Sequence, residues 1–131
     1  MLELVHYTLR LIFNFLFLSG QSYPFYAYRT EYLPWQSALS ICEGMGMQLA
    51  YVTTATENAA LAEILTEPTW IGLRYDKQWA WSSGTDVGFT AWAPGEPNNF
   101  TGDEYCAEME DQEWNDTPCD YNMISAFACR E

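Results

Sequence analysis

Nine carboxylates stand between Glu96 and Asp120, at Glu96, Asp103, Glu104, Glu108, Glu110, Asp111, Glu113, Asp116 and Asp120, with no Lys or Arg among them. Like charges at this density repel one another unless they are spread over solvent or gathered around a cation. The first arrangement is a solvated acidic face; the second is a hard-metal site. Ca²⁺ takes about six to eight oxygen ligands, and carboxylates and amide carbonyls are the usual donors.

Catalytic chemistry is less well served. Paired carboxylates can act as the acid and base of a glycosidase. The only histidine is His6, and no nucleophile motif accompanies the acids. A fold this small offers no evident deep cleft, so the chain reads as a binding domain and not as an enzyme.

The cysteines are Cys42, Cys106, Cys119 and Cys129, an even number in a short chain. No CxxC pair exists, which argues against zinc, so disulfides are the expected use. Four cysteines allow three pairings, and nothing in the residues alone selects one.

Local elements must hold these groups in place. Aromatics at Tyr26, Tyr28 and Tyr32 suggest a first strand between Tyr23 and Tyr32. Pro34 suits the first turn of a helix, and Trp35, Ala38, Leu39 and Cys42 recur at helical spacing until Gly44 and Gly46. A second helix opens at Thr54, where Thr54-Ala-Thr-Glu57 has the form of a capping box. Ala60, Leu61, Ile64 and Leu65 supply its apolar stripe, and Pro68 stops it. Beyond Pro68 short β-rich runs appear at Trp70 to Leu73, Trp79 to Trp81 and Ile124 to Cys129. The interval from Thr85 to Asn115 reads as one long loop, too long for an idle connection and therefore functional.

The chain of 131 residues has room for one domain. Apolar residues make up 49% and aromatics 17%, enough for a packed core and too many for a disordered chain. Five Lys and Arg against 18 Asp and Glu give a formal charge of −13, which repels phosphate backbones and anionic membrane surfaces.

At the N-terminus an apolar stretch from Leu11 to Leu18 follows Arg10 and leads to the small residues Ser19, Gly20 and Ser22. It resembles a secretory signal peptide, with cleavage expected between Gly20 and Tyr23, so the leader is 1–22 and the mature domain 23–131. The run falls far short of the roughly 20 apolar residues that span a bilayer, so no membrane insertion is expected. Glu3 is unusual in a leader, and the rival reading is a buried first strand.

Four features coincide in order: Trp70-Ile71-Gly72-Leu73, Glu96-Pro97-Asn98, Trp114-Asn115-Asp116, and cysteines just after the last two and at the C-terminus. Together they resemble a C-type lectin-like domain of the short form, from about Tyr26 to Glu131. The resemblance implies an α+β fold in which two helices flank small antiparallel sheets and a long loop carries the site. It implies a bridge from Cys42 to Cys129 and a shorter one from Cys106 to Cys119. It also implies a structural role for the tryptophans of the first and third motifs, and large aromatics at strand spacing are in any case more often core than binding surface.

The family's principal calcium ligands correspond here to Glu96, Asn98, Glu104, Asn115 and Asp116. The resemblance implies that Glu96, Asn98, Glu104 and Asn115 also hold the sugar, with two vicinal hydroxyls completing the calcium shell. Carboxylates accept hydrogen bonds from such hydroxyls, and Asn NH₂ groups donate to them. Glu-Pro-Asn at this place implies the mannose class (mannose, fucose or N-acetylglucosamine) and a cis Pro97. Tyr105 replaces an acid found in relatives with an auxiliary calcium, and the stretch from Arg74 to Trp81 lacks paired acids, so one principal Ca²⁺ is expected.

Asn99-Phe100-Thr101 and Asn115-Asp116-Thr117 are glycosylation sequons. The expected whole is a secreted, extracellular, calcium-dependent lectin recognising microbial or host glycans in innate defence, with no specified oligomeric state. The alternative is a lectin-like domain that binds a protein, or ice, in place of sugar.

Overall fold

The computed structural model describes residues 23–131 and the backbone of Val5–His6. The leader expected at 1–22 otherwise lies outside the described residues. Among the described residues no helix is long and apolar enough to cross a membrane.

Chain order is β1 (Val5–His6), β2 (Phe25–Arg29), α1 (Trp35–Gly44), β3 (Gln48–Leu49), α2 (Ala55–Ile64), β4 (Thr69–Asp76), β5 (Gln78–Trp81), β6 (Cys106–Glu110), β7 (Glu113–Thr117) and β8 (Ala126–Arg130). The strands form one sheet in the order β1-β2-β8-β4-β6-β7, with β3 also on β8 and β5 also on β4. The α+β fold with two helices and largely antiparallel strands is the one that the resemblance implies; what it does not specify is that the strands join into one mixed sheet through a parallel pairing of β4 with β8, Thr69 opposite Ala126 and Trp70 opposite Phe127. All other strand pairs are antiparallel.

Both helices fall where their periodicity places them. Pro34 sits one position outside α1 as its N-cap, with extended backbone, and α1 buries Trp35, Ala38 and Cys42. Gly46, at φ 76°, follows its end. At α2 the Thr54 hydroxyl accepts from Glu57 N at 3.1 Å, the first half of a capping box. The reciprocal half is displaced by one residue: Glu57 Oε2 accepts from Thr53 N at 2.8 Å.

Two apolar clusters fill the interior. One joins α2 to Ile71, Leu73, Trp81, Met109 and Trp114; the other joins α1 to Tyr28, Leu49, Trp70, Ile124 and Phe127. Three of the buried indoles find acceptors: Trp35 Nε1 donates to Ile71 O at 2.8 Å, Trp70 Nε1 to Leu33 O at 2.9 Å, and Trp114 Nε1 to Asn58 Oδ1 at 2.9 Å, whereas Trp81 Nε1 is buried without a partner. Trp70, Trp81 and Trp114 are core, while Trp79 and Trp92 are half-buried against it. Disulfides join Cys42 to Cys129 and Cys106 to Cys119. The first closes a loop of 87 residues, which the chain-entropy model values at about 4 to 5 kcal/mol.

The interval expected as one loop to Asn115 is shorter. It ends at Tyr105, because β6 and β7 form a hairpin within it. Glu and Asp are depleted in strands, and that composition hides the hairpin. Ala107, Met109, Trp114 and Asp116 are buried, while Glu108, Glu110, Glu113 and Asn115 alternate with them on the more open face.

Candidate functional site

The loop reaches the site by running alongside β7. Ala93 N donates to Trp114 O at 2.9 Å and Trp114 N to Ala91 O at 2.8 Å. The chain then turns at Ala93-Pro94-Gly95-Glu96, where Glu96 N donates to Ala93 O at 2.9 Å and Gly95 takes φ 84°. Pro second and Gly third is the residue pattern of a type II turn. The Glu96–Pro97 peptide bond is cis, as the resemblance implies.

Asp116 anchors the two residues after Pro97. It lies on β7 opposite Ala107 and is 1% exposed. Its carboxylate accepts from Asn98 N at 3.1 Å and from Asn99 N at 2.7 Å. Glu104, immediately before Tyr105 and β6, is 9% exposed, and its Oε1 accepts from Phe100 N at 2.8 Å. Asn98 Oδ1 accepts from the same amide at 3.0 Å. Asn99, at φ 47°, closes the loop from inside, its Oδ1 accepting from Glu104 N at 3.0 Å.

Glu96 is the electrostatic centre. Its carboxyl is pushed up to about 7, first by burial, then by a hydrogen bond to the Asp116 carboxylate and by the negative charges of Asp116 and Glu104. Its Oε2 is buried without a hydrogen-bond partner. Thus Glu104 and Asp116, up to 20 residues away in sequence, both act on the Glu96 carboxyl. Asn98 joins them through the loop backbone.

Asn115 faces elsewhere. One step along a strand reverses the side chain, so it stands opposite Glu108 and its Nδ2 donates to Glu108 Oε1 at 3.3 Å. This pair lines a hollow of about 400 Å³ together with Glu96, Glu110, Asp111 and Glu113. Burial, opposed by the Asn115 bond and reinforced by Glu110, pushes the Glu108 carboxyl up to about 6. The five expected ligands are therefore split: Glu96, Asn98, Glu104 and Asp116 share one loop network, and Asn115 meets only Glu96 of them, across this hollow. Among the described residues no group of three or more His, Cys, Asp or Glu side chains is arranged tightly enough to hold a metal ion.

Asn99 and Glu108 were not singled out in the sequence, where one reads as half of a sequon and the other as one acid among nine. The alternation of Glu108 and Glu110 with buried Ala107 and Met109 was the available signal for the second.

The donor set is chemically suited to a hard cation. The negative charges of Asp116 and Glu104 acting on Glu96, a buried Glu96 oxygen lacking a donor and an absence of cationic side chains from the loop all favour added positive charge.

Comparison with known proteins agrees on kinship. Dromaiocalcin-1 of Dromaius novaehollandiae is 34% identical over 120 residues, covering 80% of this chain and 81% of that protein. A C-type lectin mannose-binding isoform of Notechis scutatus scutatus is 34% identical over 111 residues, covering 73% and 69%. A calcium-independent type II antifreeze protein superposes with a TM-score of 0.73 at 27% identity, covering 82% of this chain and 86% of that one. The family model of the Lectin C-type domain matches residues 31–131, from the approach to α1 through the last strand, and the chain belongs to that family.

Proposed function

We propose that this protein is a secreted, calcium-dependent lectin of the mannose class. Glu96, Asn98, Glu104, Asn115 and Asp116 would hold one Ca²⁺, which supplies a Lewis-acid centre for two vicinal sugar hydroxyls. Glu96, Asn98, Glu104 and Asn115 orient those hydroxyls, the carboxylates accepting and the amides donating hydrogen bonds. The observation that carries this reading is the confluence of Glu96, Glu104 and Asp116, with the Glu96 carboxyl raised to about 7 by that environment. The similarity to a mannose-binding isoform supports the sugar class. The resemblance of 1–22 to a leader and the two disulfides support export to an oxidising compartment.

The test is retention on mannose-agarose in Ca²⁺ and release by EDTA, with isothermal titration of the stripped protein by Ca²⁺. Retention that ignores EDTA overturns calcium dependence, and no retention overturns the sugar.

A second reading is favoured by one observation. The carboxylates of Asp116 and Glu104 already accept amides of their own loop, and a similar solved structure is a calcium-independent antifreeze protein. On this reading the loop orders without metal and the ligand is a protein or ice. Unchanged loop amide protection with and without Ca²⁺, together with no calcium uptake, would select it.

A further inference from the structure

Beside the cation loop lies a cleft of about 240 Å³ whose walls are of two kinds. Tyr75, Trp79 and Tyr105 give it an aromatic side, and Asn99, Glu104 and Asp116 give it a polar one. Tyr75 and Tyr105 are 41% and 42% exposed, large apolar surfaces left open to solvent. They are nonetheless held in place. Their rings stack at 6.2 Å with planes 21° apart, and Tyr75 meets Trp79 edge-on at 5.6 Å. Tyr75 N donates to Tyr105 O at 2.8 Å, and the Tyr105 hydroxyl donates to Gly102 O at 3.1 Å. Ordering these rings on binding therefore costs little entropy.

We propose that Tyr75, Trp79 and Tyr105 form a second pyranose subsite, holding the sugar residue next to the one bound at the cation site. The inference rests on the proposed lectin function and deepens it: the ligand becomes a disaccharide unit and not a single sugar. Continuity carries the argument, since Glu104 and Asp116 line this cleft and belong to the loop network of the cation site.

The chemistry of the walls selects the occupant. A hexopyranose presents a face of C–H bonds and a rim of hydroxyls. The C–H face meets the negative face of an aromatic ring favourably, and the rim hydroxyls meet the polar side of the cleft, where the exposed Asn99 amide can donate to them. The cleft is smaller than the range of about 300 to 1,000 Å³ that holds a drug-sized ligand, which suits one ring. No cationic side chain lines the cleft to pair with the charge of a sialic, uronic or phosphorylated sugar, so the occupant is a neutral hexose.

The experiment is isothermal titration of the full chain in Ca²⁺ with methyl α-mannoside and with α1→2, α1→3 and α1→6 mannobiose. At least one disaccharide should bind about two- to tenfold tighter than the monosaccharide, the worth of one added aromatic contact. Tyr75→Leu and Tyr105→Leu should each reduce that ratio toward one while leaving the monosaccharide affinity unchanged. Tyr105→Phe should preserve the ratio. As a check that needs no variant, the ring protons of Tyr75 and Tyr105 should shift in NMR spectra with the favoured disaccharide and not with methyl α-mannoside. Equal affinities for all four sugars, a ratio untouched by both Leu substitutions, or ring protons that ignore the disaccharide overturn the subsite. Absence of monosaccharide binding in Ca²⁺ overturns the lectin reading itself and takes the subsite with it.

Discussion

Glu57 and Arg130 meet across 73 residues of chain in a two-pronged ion pair, Arg130 Nη1 donating to Oε2 at 2.8 Å and Nη2 to Oε1 at 3.1 Å. The pair fastens the first turn of α2 to the end of β8. Its guanidinium also lies 4.1 Å from the centre of the Tyr51 ring and 5.2 Å from that of Phe25. Both side chains are less than a fifth exposed, so solvent screens the attraction only in part.

Glu57→Gln should therefore destabilise the protein by about 1.5 to 3 kcal/mol at neutral pH, the value of hydrogen bonds to charged groups. Burial alone would raise the Glu57 carboxyl; its bonds to Arg130 and Thr53 outweigh burial and hold it below its ordinary range. A depressed folded-state value stabilises above the unfolded value, about 4.3, and that stability is lost as pH falls through the folded one. The gap between wild type and Glu57→Gln in guanidinium unfolding should be flat above about pH 5 and shrink below about pH 4. A gap that persists at strongly acid pH would show that the charge is not its source.

Gly72 marks a place where backbone approaches backbone. A Cβ there would lie 2.6 Å from Leu49 O and 2.9 Å from Ser82 Oγ. Gly72 N donates to Ala50 O and its own carbonyl accepts from Ser82 N, so neither side can retreat freely. Gly72→Ala should cost about 1 to 3 kcal/mol, read as a lower urea midpoint with an unchanged slope. A neutral substitution would mean that β3 and β5 yield more easily than this packing implies.

Legibility in the sequence followed the range of the interactions. The helices were readable because their signals are local: Thr54 with Glu57, the apolar stripe to Ile64, and Gly46 past α1. The parallel pairing of β4 with β8 was not, because it joins residues 57 apart at Thr69 and Ala126 through backbone groups that every residue carries. β6 and β7 were missed because Glu108, Glu110 and Glu113, half-buried or exposed on one face of the hairpin, read as loop by residue type. The candidate ligands were legible as residue types. Their division was not: it follows from strand alternation, which sends Asn115 to Glu108 and Asp116 into the loop.

Sugar choice should follow the donor and acceptor pattern of the turn around Pro97. Glu96→Gln together with Asn98→Asp keeps two oxygen donors for a cation while exchanging which position donates and which accepts toward the ligand. A glycan array should move from mannose toward galactose, with calcium uptake retained. An unchanged mannose preference would place selectivity elsewhere, and lost calcium uptake would show that charge position matters more than oxygen count.

Asp116 should be the residue on which the loop depends most. Its two oxygens accept Asn98 N and Asn99 N, and its charge helps to raise the Glu96 carboxyl. Asp116→Ala removes a candidate ligand and both of these acceptors at once, yet Asp116 belongs to neither disulfide and is not a member of either apolar cluster. Calcium titration should show no uptake, and hydrogen exchange at Asn98 and Asn99 should accelerate by about fivefold or more, as expected for losing about 1 kcal/mol of hydrogen bonding at each amide. Amides of β2, β4 and β8 should keep their protection, which separates loss of the loop from loss of the fold. Undiminished calcium uptake in Asp116→Ala would remove it from the ligand set and leave it as a loop anchor alone. Unchanged exchange at Asn98 and Asn99 would contradict the hydrogen-bond network itself, and faster exchange throughout β2, β4 and β8 would mean that the whole fold had been weakened.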